Sequence, residues 1–224
     1  MRVGSQECRT VVWSLTRSKA LKTYIRDHQV RKLQIGTGYN VMPGWLNTDG
    51  WLLSPKSVFL DATKPFPFPE CTFHYVFSEH LIEHLTYTDG LFMLRESYRV
   101  MMPGGRIRIA TPNLENFIAL YTPDKSDLQR KYIKWTSDVW LPEIGEYGEC
   151  YVINNFCRNW GHVFIYDRAT LQRALEQAGF TNIGSHGVGD SHDENLRGLE
   201  CHGEIIGEEM NRFETMVLEA ERPG

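Results

Sequence analysis

The chain predicts an α/β sandwich built on a mostly parallel sheet, and two observations carry that prediction. Four short apolar segments between residues 32 and 77 each stop on a glycine or a polar residue, and amphipathic helical stretches then alternate with strands. In such sheets ligands bind at the carboxyl ends of the strands, where those polar stops cluster.

Taken in order, Ser18 to His28 places Leu21, Tyr24, Ile25 and His28 at helical spacing, a leading helix within residues 1–30. Lys32–Ile35 is a first strand and stops at Gly36. Trp45–Thr48 stops at Asp49, Val58–Leu60 at Asp61, and Phe73–Phe77 at Ser78-Glu79-His80. Thr86 to Met101 puts Leu91, Leu94, Tyr98 and Met101 on one helical face, and Pro103-Gly104-Gly105 then turns into a fifth strand, Arg106–Ala110. Asp167 caps a helix bearing Leu171, Ala174, Leu175 and Ala178, with Gly179 at its stop. Phe180–His186 and Phe213–Ala220 read as closing strands. Residues 114–161 hold Tyr121, Trp135, Trp140, Tyr147, Tyr151, Phe156 and Trp160 among prolines and glycines. They read either as an irregular insertion packed on the domain or as a lid over a substrate.

Composition narrows the class. The 224 residues suit one domain, 1–224, and contain no repeat or low-complexity linker. No apolar run approaches the ~18 residues of a membrane span, and Met1–Cys8 lacks the apolar centre of a signal peptide. Cys8, Cys71, Cys150, Cys157 and Cys201 include no Cys-x-x-Cys pair, which favours reduced thiols and a cytoplasmic location. A net charge of −4 gives no general attraction to phosphate backbones, so nucleic acid is not an expected partner.

The glycine turn Gly36-Thr37-Gly38 lets the backbone approach a bound nucleoside closely. Asp49 at the second strand end can accept hydrogen bonds from both hydroxyls of a ribose, and Asp61 at the third can meet the amine of an adenine. Each aspartate alone would read as a turn or a cap. Their order on adjacent strand ends makes the nucleoside reading.

These residues, with Gly44–Asp49, Asp61–Phe68, Ser78–Leu85 and Arg99–Gly105, resemble class I S-adenosylmethionine (SAM)-dependent methyltransferases. They are most similar to small bacterial type 11-like methyltransferases linked to surface-glycan synthesis, which also carry the patterns seen in Asn159-Trp160-Gly161-His162 and Asn211–Thr215. The resemblance spans roughly residues 30–222. It implies a Rossmann-like fold with helices on both faces and an antiparallel closing strand, and SAM as cofactor with S-adenosylhomocysteine (SAH) as product. It further implies a cofactor site made by Gly36, Thr37, Gly38, Asp49, Asp61, Ala62, Ser78, Glu79 and His80. The chain departs from the pattern in having Gln34 where an acidic residue is usual. The eleven-residue step from Gly38 to Asp49 is also shorter than a crossover with a helix requires, so the first crossover helix is expected to be short or missing.

His80-Leu81-Ile82-Glu83-His84 fits the His-x-x-Glu-His of inverted zinc peptidases, but it follows an apolar strand rather than sitting within a long helix. The segment is also similar to the Glu-x-x-Glu-His of O-methyltransferases of ubiquinone synthesis and small-RNA 3′ ends, which bind a divalent ion with a later histidine. That likeness implies an alternative metal set of His80, Glu83, His84 and His162. The reading adopted has no metal, with Glu83 and His84 bracing the turn and His80 on the cofactor.

The expected activity is methyl transfer to an oxygen or nitrogen of a small molecule or glycan, with His80 and His162 as candidate general bases. His162 reads equally as a histidine packed between Trp160 and Phe164. Two other classes remain: a non-catalytic nucleoside- or partner-binding protein on the same fold, and an NAD-dependent dehydrogenase. The dehydrogenase lacks the third glycine of Gly-x-Gly-x-x-Gly, position 41 being Val41.

Overall fold

The structure is a computed structural model that describes residues 17–51 and 54–224. Cys8 and the Met1–Cys8 segment lie outside the described residues. Residues 17–27 form the leading helix α1. The strands are β1 (Lys32–Ile35), β2 (Leu46–Asp49), β3 (Val58–Phe59), β4 (Phe73–Glu79), β5 (Met101–Pro112), β6 (Thr181–His186) and β7 (Thr215–Glu221). Among them run α2 (Tyr87–Val100), α3 (Leu114–Ile118), α4 (Asp127–Trp140), α5 (Glu149–Arg158), α6 (Arg168–Ala178), α7 (Gly203–Ile206) and α8 (Glu208–Glu214).

The seven strands form one sheet in the order β3-β2-β1-β4-β5-β7-β6. β7 runs antiparallel to both neighbours and all other pairs are parallel. This is the Rossmann-like fold with the antiparallel closing strand that the sequence implied.

Local chemistry explains the elements. Thr86 accepts the Asp89 amide at the start of α2, and Asp167 accepts the Thr170 amide at the start of α6. Gly179 ends α6 in the left-handed conformation, φ 106°. The buried face of α6 is the expected one. That of α2 is Met93, Leu94, Ser97 and Val100, while Leu91 and Tyr98 stay half-buried at its margin.

Three expectations are corrected. β5 begins at Met101, because Pro103-Gly104-Gly105 is absorbed as an irregularity between the Phe73–Met101 and Tyr75–Arg106 pairs rather than forming a separate turn. Phe213 and Glu214 belong to α8, not to the closing strand. The 114–161 segment is not irregular: it holds α3, α4 and α5 around their own apolar cluster of Phe117, Leu120, Tyr132, Ile133, Val152 and Phe156. Ser126 and Gln129 form a reciprocal capping box that starts α4.

No helix is formed between β1 and β2, as the short spacing required. Residues on β4 alternate sides, so Val76 joins the main core while Tyr75 and Phe77 face the other way. There Phe77 packs with Met42, Trp45 and Leu196. Leu196 belongs to the connection between β6 and α7, which lies across the face that a first crossover helix would otherwise cover. This strap is held by Arg108, a fully buried guanidinium. It donates to Glu200 at 2.5 Å, to Glu219 at 2.6 Å and to the Asp190 and Gly187 carbonyls. No helix among the described residues is long and apolar enough to cross a membrane.

Candidate active site

β1 ends where Gly36 (φ 78°) and Gly38 (φ 53°) both turn left-handed. A Cβ on Gly36 would stand 2.9 Å from that of Leu81, so glycine is required for the turn to close on the neighbouring strand end. A Cβ on Gly38 would meet nothing within 4 Å, because its open side faces a cavity of about 500 Å³. Gln34, Gly36, Thr37, Glu79, His80 and His202 line that cavity. The buried Gln34 Oε1, Thr37 Oγ1 and Ser78 Oγ have no hydrogen-bond partner. Buried polar atoms are seldom left so. Two of the three, on Gln34 and Thr37, belong to residues that line this cavity.

Asp49 holds the turn from across the sheet. It accepts the Gly38 amide at 2.7 Å and the Trp51 amide at 2.6 Å, one on each oxygen. An ionised carboxylate has about four acceptor positions, so two remain for ribose hydroxyls. Asp61 accepts both the amide and the hydroxyl of Thr63 on one oxygen. Asp49, Asp61, Ala62, Leu81 and His84 line a second cavity, of about 380 Å³, on the far side of Gly36. Glu79 lines the first cavity, and its carboxylate also accepts the backbone amides of Cys201 and His202 at 3.0 Å, fastening the strap to β4.

A third cavity, of about 270 Å³, opens under α4 and α5. Its walls are Tyr132, Trp135, Trp140, Phe156 and Trp160, and its floor is His80, Glu83, His84, His162, His202 and Glu214. His80 and His202 line both the first and third cavities, and His84 both the second and third. All three spaces therefore meet along residues 80–84.

The His-x-x-Glu-His segment is not one helix. His80 takes a left-handed backbone, φ 45°, and only Ile82–His84 forms a 3-10 turn. His80 and His84 therefore do not share a helical face, which removes the peptidase geometry. His80 Nδ1 lies 3.1 Å from Glu83 Oε1, and Nε2 lies 3.1 Å from Thr215 Oγ1. The Thr215 hydroxyl gives its own proton to Asn211 Oδ1, so its oxygen receives one from His80. Nε2 is then the donor, and the Nδ1 edge faces the Glu83 carboxylate, which favours the protonated ring. Burial pushes the His80 pKa down, but Glu83, Glu214 and Glu79 outweigh it and hold it above the ordinary histidine value. Burial likewise pushes Glu83 up, and His80 reverses that shift.

His162 differs. Its Nδ1–H donates to the Phe156 carbonyl at 2.7 Å, leaving Nε2 as an acceptor. Burial lowers its pKa and keeps it neutral. It packs against Phe156, whereas Phe164 packs on Tyr87 and Tyr166, so the expected place between Trp160 and Phe164 is not the one adopted. Of the alternative metal set, Glu83, His84 and His162 bring ligand atoms within 4.8 Å of one another, while His80 groups with His202 and Glu214.

Sequence reasoning missed His202, Glu214, Tyr132 and Thr215. Glu214 accepts the Tyr132 hydroxyl at 2.6 Å and pairs with His202 Nε2 at 3.1 Å. Asn211, Glu214 and Thr215 fall within the Asn211–Thr215 pattern, which was visible in the sequence without a role. No pattern pointed to His202.

Residues 33–109, from β1 into β5, match the model of a family described as a methyltransferase domain. That span contains every residue expected at the cofactor site. No curated protein matches the chain by sequence. Among solved structures the chain is similar to a SAM-dependent methyltransferase from Archaeoglobus fulgidus, at 19% identity and TM-score 0.51, over 93% of this chain and 94% of that one. It is also similar to the CurJ carbon methyltransferase, at 12% identity and TM-score 0.47, over 87% of this chain and 49% of that one. The methyltransferase SibL matches at 16% identity and TM-score 0.48, over 87% and 51%. The chain thus spans about half the length of CurJ and SibL. At these identities the likeness to the archaeal enzyme is one of fold.

Proposed function

We propose that the chain is a SAM-dependent methyltransferase whose acceptor sits in the aromatic cavity. The observation that carries this reading is the meeting of three cavities along residues 80–84. The matched domain and the archaeal fold support the choice of cofactor.

In this reading the Asp49–Asp61 cavity takes the adenosine, with Ala62 beside the base and Asp49 on the ribose. The Gly36–Gly38 cavity takes the methionine portion, where Gln34 and Thr37 supply polar atoms that now lack partners. Bound SAM supplies an electrophilic methyl group on a sulfonium. The chain's part is to align an acceptor from the third cavity with that methyl and to exclude water. Of the two histidines expected to act as base, His162 presents the neutral acceptor nitrogen. His80, whose pKa the neighbouring carboxylates raise, positions Glu83 and the turn.

The metal-free version is favoured because Glu83 already has close neighbours: Oε2 accepts the Thr111 hydroxyl at 2.9 Å and Oε1 lies 3.1 Å from His80 Nδ1. A cation there would have to displace an existing charge.

Calorimetry with SAM and SAH is the direct test. Binding of both in the micromolar range is expected, and binding of neither sinks the reading. The same titration after dialysis against a chelator, repeated with Zn²⁺, is expected to show no change. Zn²⁺-dependent affinity would move Glu83, His84 and His162 to a metal site.

A further inference from the structure

We propose that the methyl acceptor is a protonated amine carried on a small apolar skeleton. This rests on the methyltransfer reading and names the substrate class of its third cavity.

The charge inventory of that cavity decides against anions. Its described lining contains Glu83 and Glu214 and neither lysine nor arginine. Glu83 is balanced by His80. Glu214 has a tyrosine hydroxyl and an imidazole as partners, and no permanent cation. A phosphate, carboxylate or nucleotide acceptor would lose its water and find no lysine or arginine to replace it, beside two carboxylates that repel it. An ammonium would meet a buried carboxylate.

The walls point the same way. Trp135 and Trp140 meet at 89°, and Trp140 and Trp160 at 78° with ring centroids 4.5 Å apart. Three indoles in two right-angled corners offer π faces in more than one direction, the arrangement in which a cation is held without a hydrogen-bonding counter-ion. At about 270 Å³ the space suits a compact molecule rather than a polymer segment.

The floor supplies the remaining requirement. An ammonium has no lone pair, so it must lose a proton before it can accept a methyl. The proton passes to His162 Nε2, which is free to take it because Nδ1–H is committed to the Phe156 carbonyl. The freed nitrogen lone pair forms the N–C bond to the methyl of SAM. The C–S bond breaks, its electron pair stays on sulfur, and the products are a methylated ammonium and SAH.

The test uses one skeleton in three charge states: phenethylamine, 2-phenylethanol and phenylacetate, titrated into the protein and followed by tryptophan fluorescence. The amine is expected to bind about tenfold or more tighter than the alcohol, and the carboxylate weakest. Trp140→Leu should weaken the amine about fivefold and leave the alcohol unchanged, with Trp160→Leu as the second variant should the first fail to fold. Equal or tighter binding of the alcohol, as for a neutral hydroxyl acceptor such as a glycan, overturns the inference. So does tighter binding of the carboxylate, or failure of all three to bind in the millimolar range. SAH binding is measured on the same sample. Its absence would sink the methyltransfer reading and leave the amine preference standing, whereas SAH binding without that preference would sink this inference alone.

Discussion

The two halves of the carboxyl edge are built from different kinds of contact. On the cofactor side, carboxylates hold the backbone: Asp49 takes the amides of Gly38 and Trp51, Asp61 that of Thr63, and Glu79 those of Cys201 and His202. On the acceptor side, carboxylates hold other side chains: Glu83 takes His80 and Thr111, and Glu214 takes Tyr132 and His202. The first kind fixes the shape of a turn and tolerates few ligands. The second fixes protonation states and the direction of rings, which a change of a few side chains can alter. Under the proposed function, one half is therefore suited to an unvarying cofactor and the other to a particular acceptor.

The contrast can be broken most severely at Arg108, whose network ties the strap to the sheet. Arg108→Ala leaves Glu200 buried without its cation and Glu219 with only the more distant Arg106 and His186, and should cost about 3–5 kcal/mol in denaturant unfolding. A loss below about 1 kcal/mol would show that the strap is held by Leu196 and its apolar neighbours alone.

A smaller effect is expected at the His80–Glu83 pair. The raised pKa of His80 means that its stabilising contribution is complete at low pH and is lost as pH rises through that raised value. The depressed pKa of Glu83 means that its contribution is present at higher pH and is lost as pH falls through that depressed value. The pair therefore stabilises most between the two, across neutral pH. Glu83→Gln should lower stability by about 1–3 kcal/mol in that window and less on either side. Equal destabilisation at every pH would mean that no ion pair exists.

The finest test addresses the cofactor half alone. Asp49→Asn keeps the side chain's size but removes its charge, and should weaken SAH about tenfold while leaving the phenethylamine titration unchanged. A parallel loss of both would mean that the two halves are not separable.

The same difference explains how much the sequence disclosed. The Gly36–Asp61 edge was legible because it is local: an apolar run stopping at Gly36, Asp49 or Asp61 states both the strand and where it ends. β1 has the expected bounds, and the missing first crossover helix follows from spacing alone. The acceptor half was not legible because its partners are far apart in the chain. Tyr132 meets Glu214 across 82 residues and His80 meets Thr215 across 135. The capping box at Ser126 and Gln129 was a local signal for α4 within 114–161 that the aromatic residues obscured. The Phe213 and Glu214 error has a similar origin. α8 has only seven residues, and its last ones run without a break into the apolar β7.

The strap also bears on the order in which the molecule can be assembled. Trp45 and Phe77, made early in synthesis, rest against Leu196, which is made late. Until some 120 further residues have followed Phe77, one side of the nascent parallel sheet has no permanent cover, and long-range closure of this kind is slow. A chain interrupted before Leu196 would carry a finished Gly36–Gly38 turn on a sheet with an open apolar flank, a species for chaperones to hold rather than a smaller stable domain.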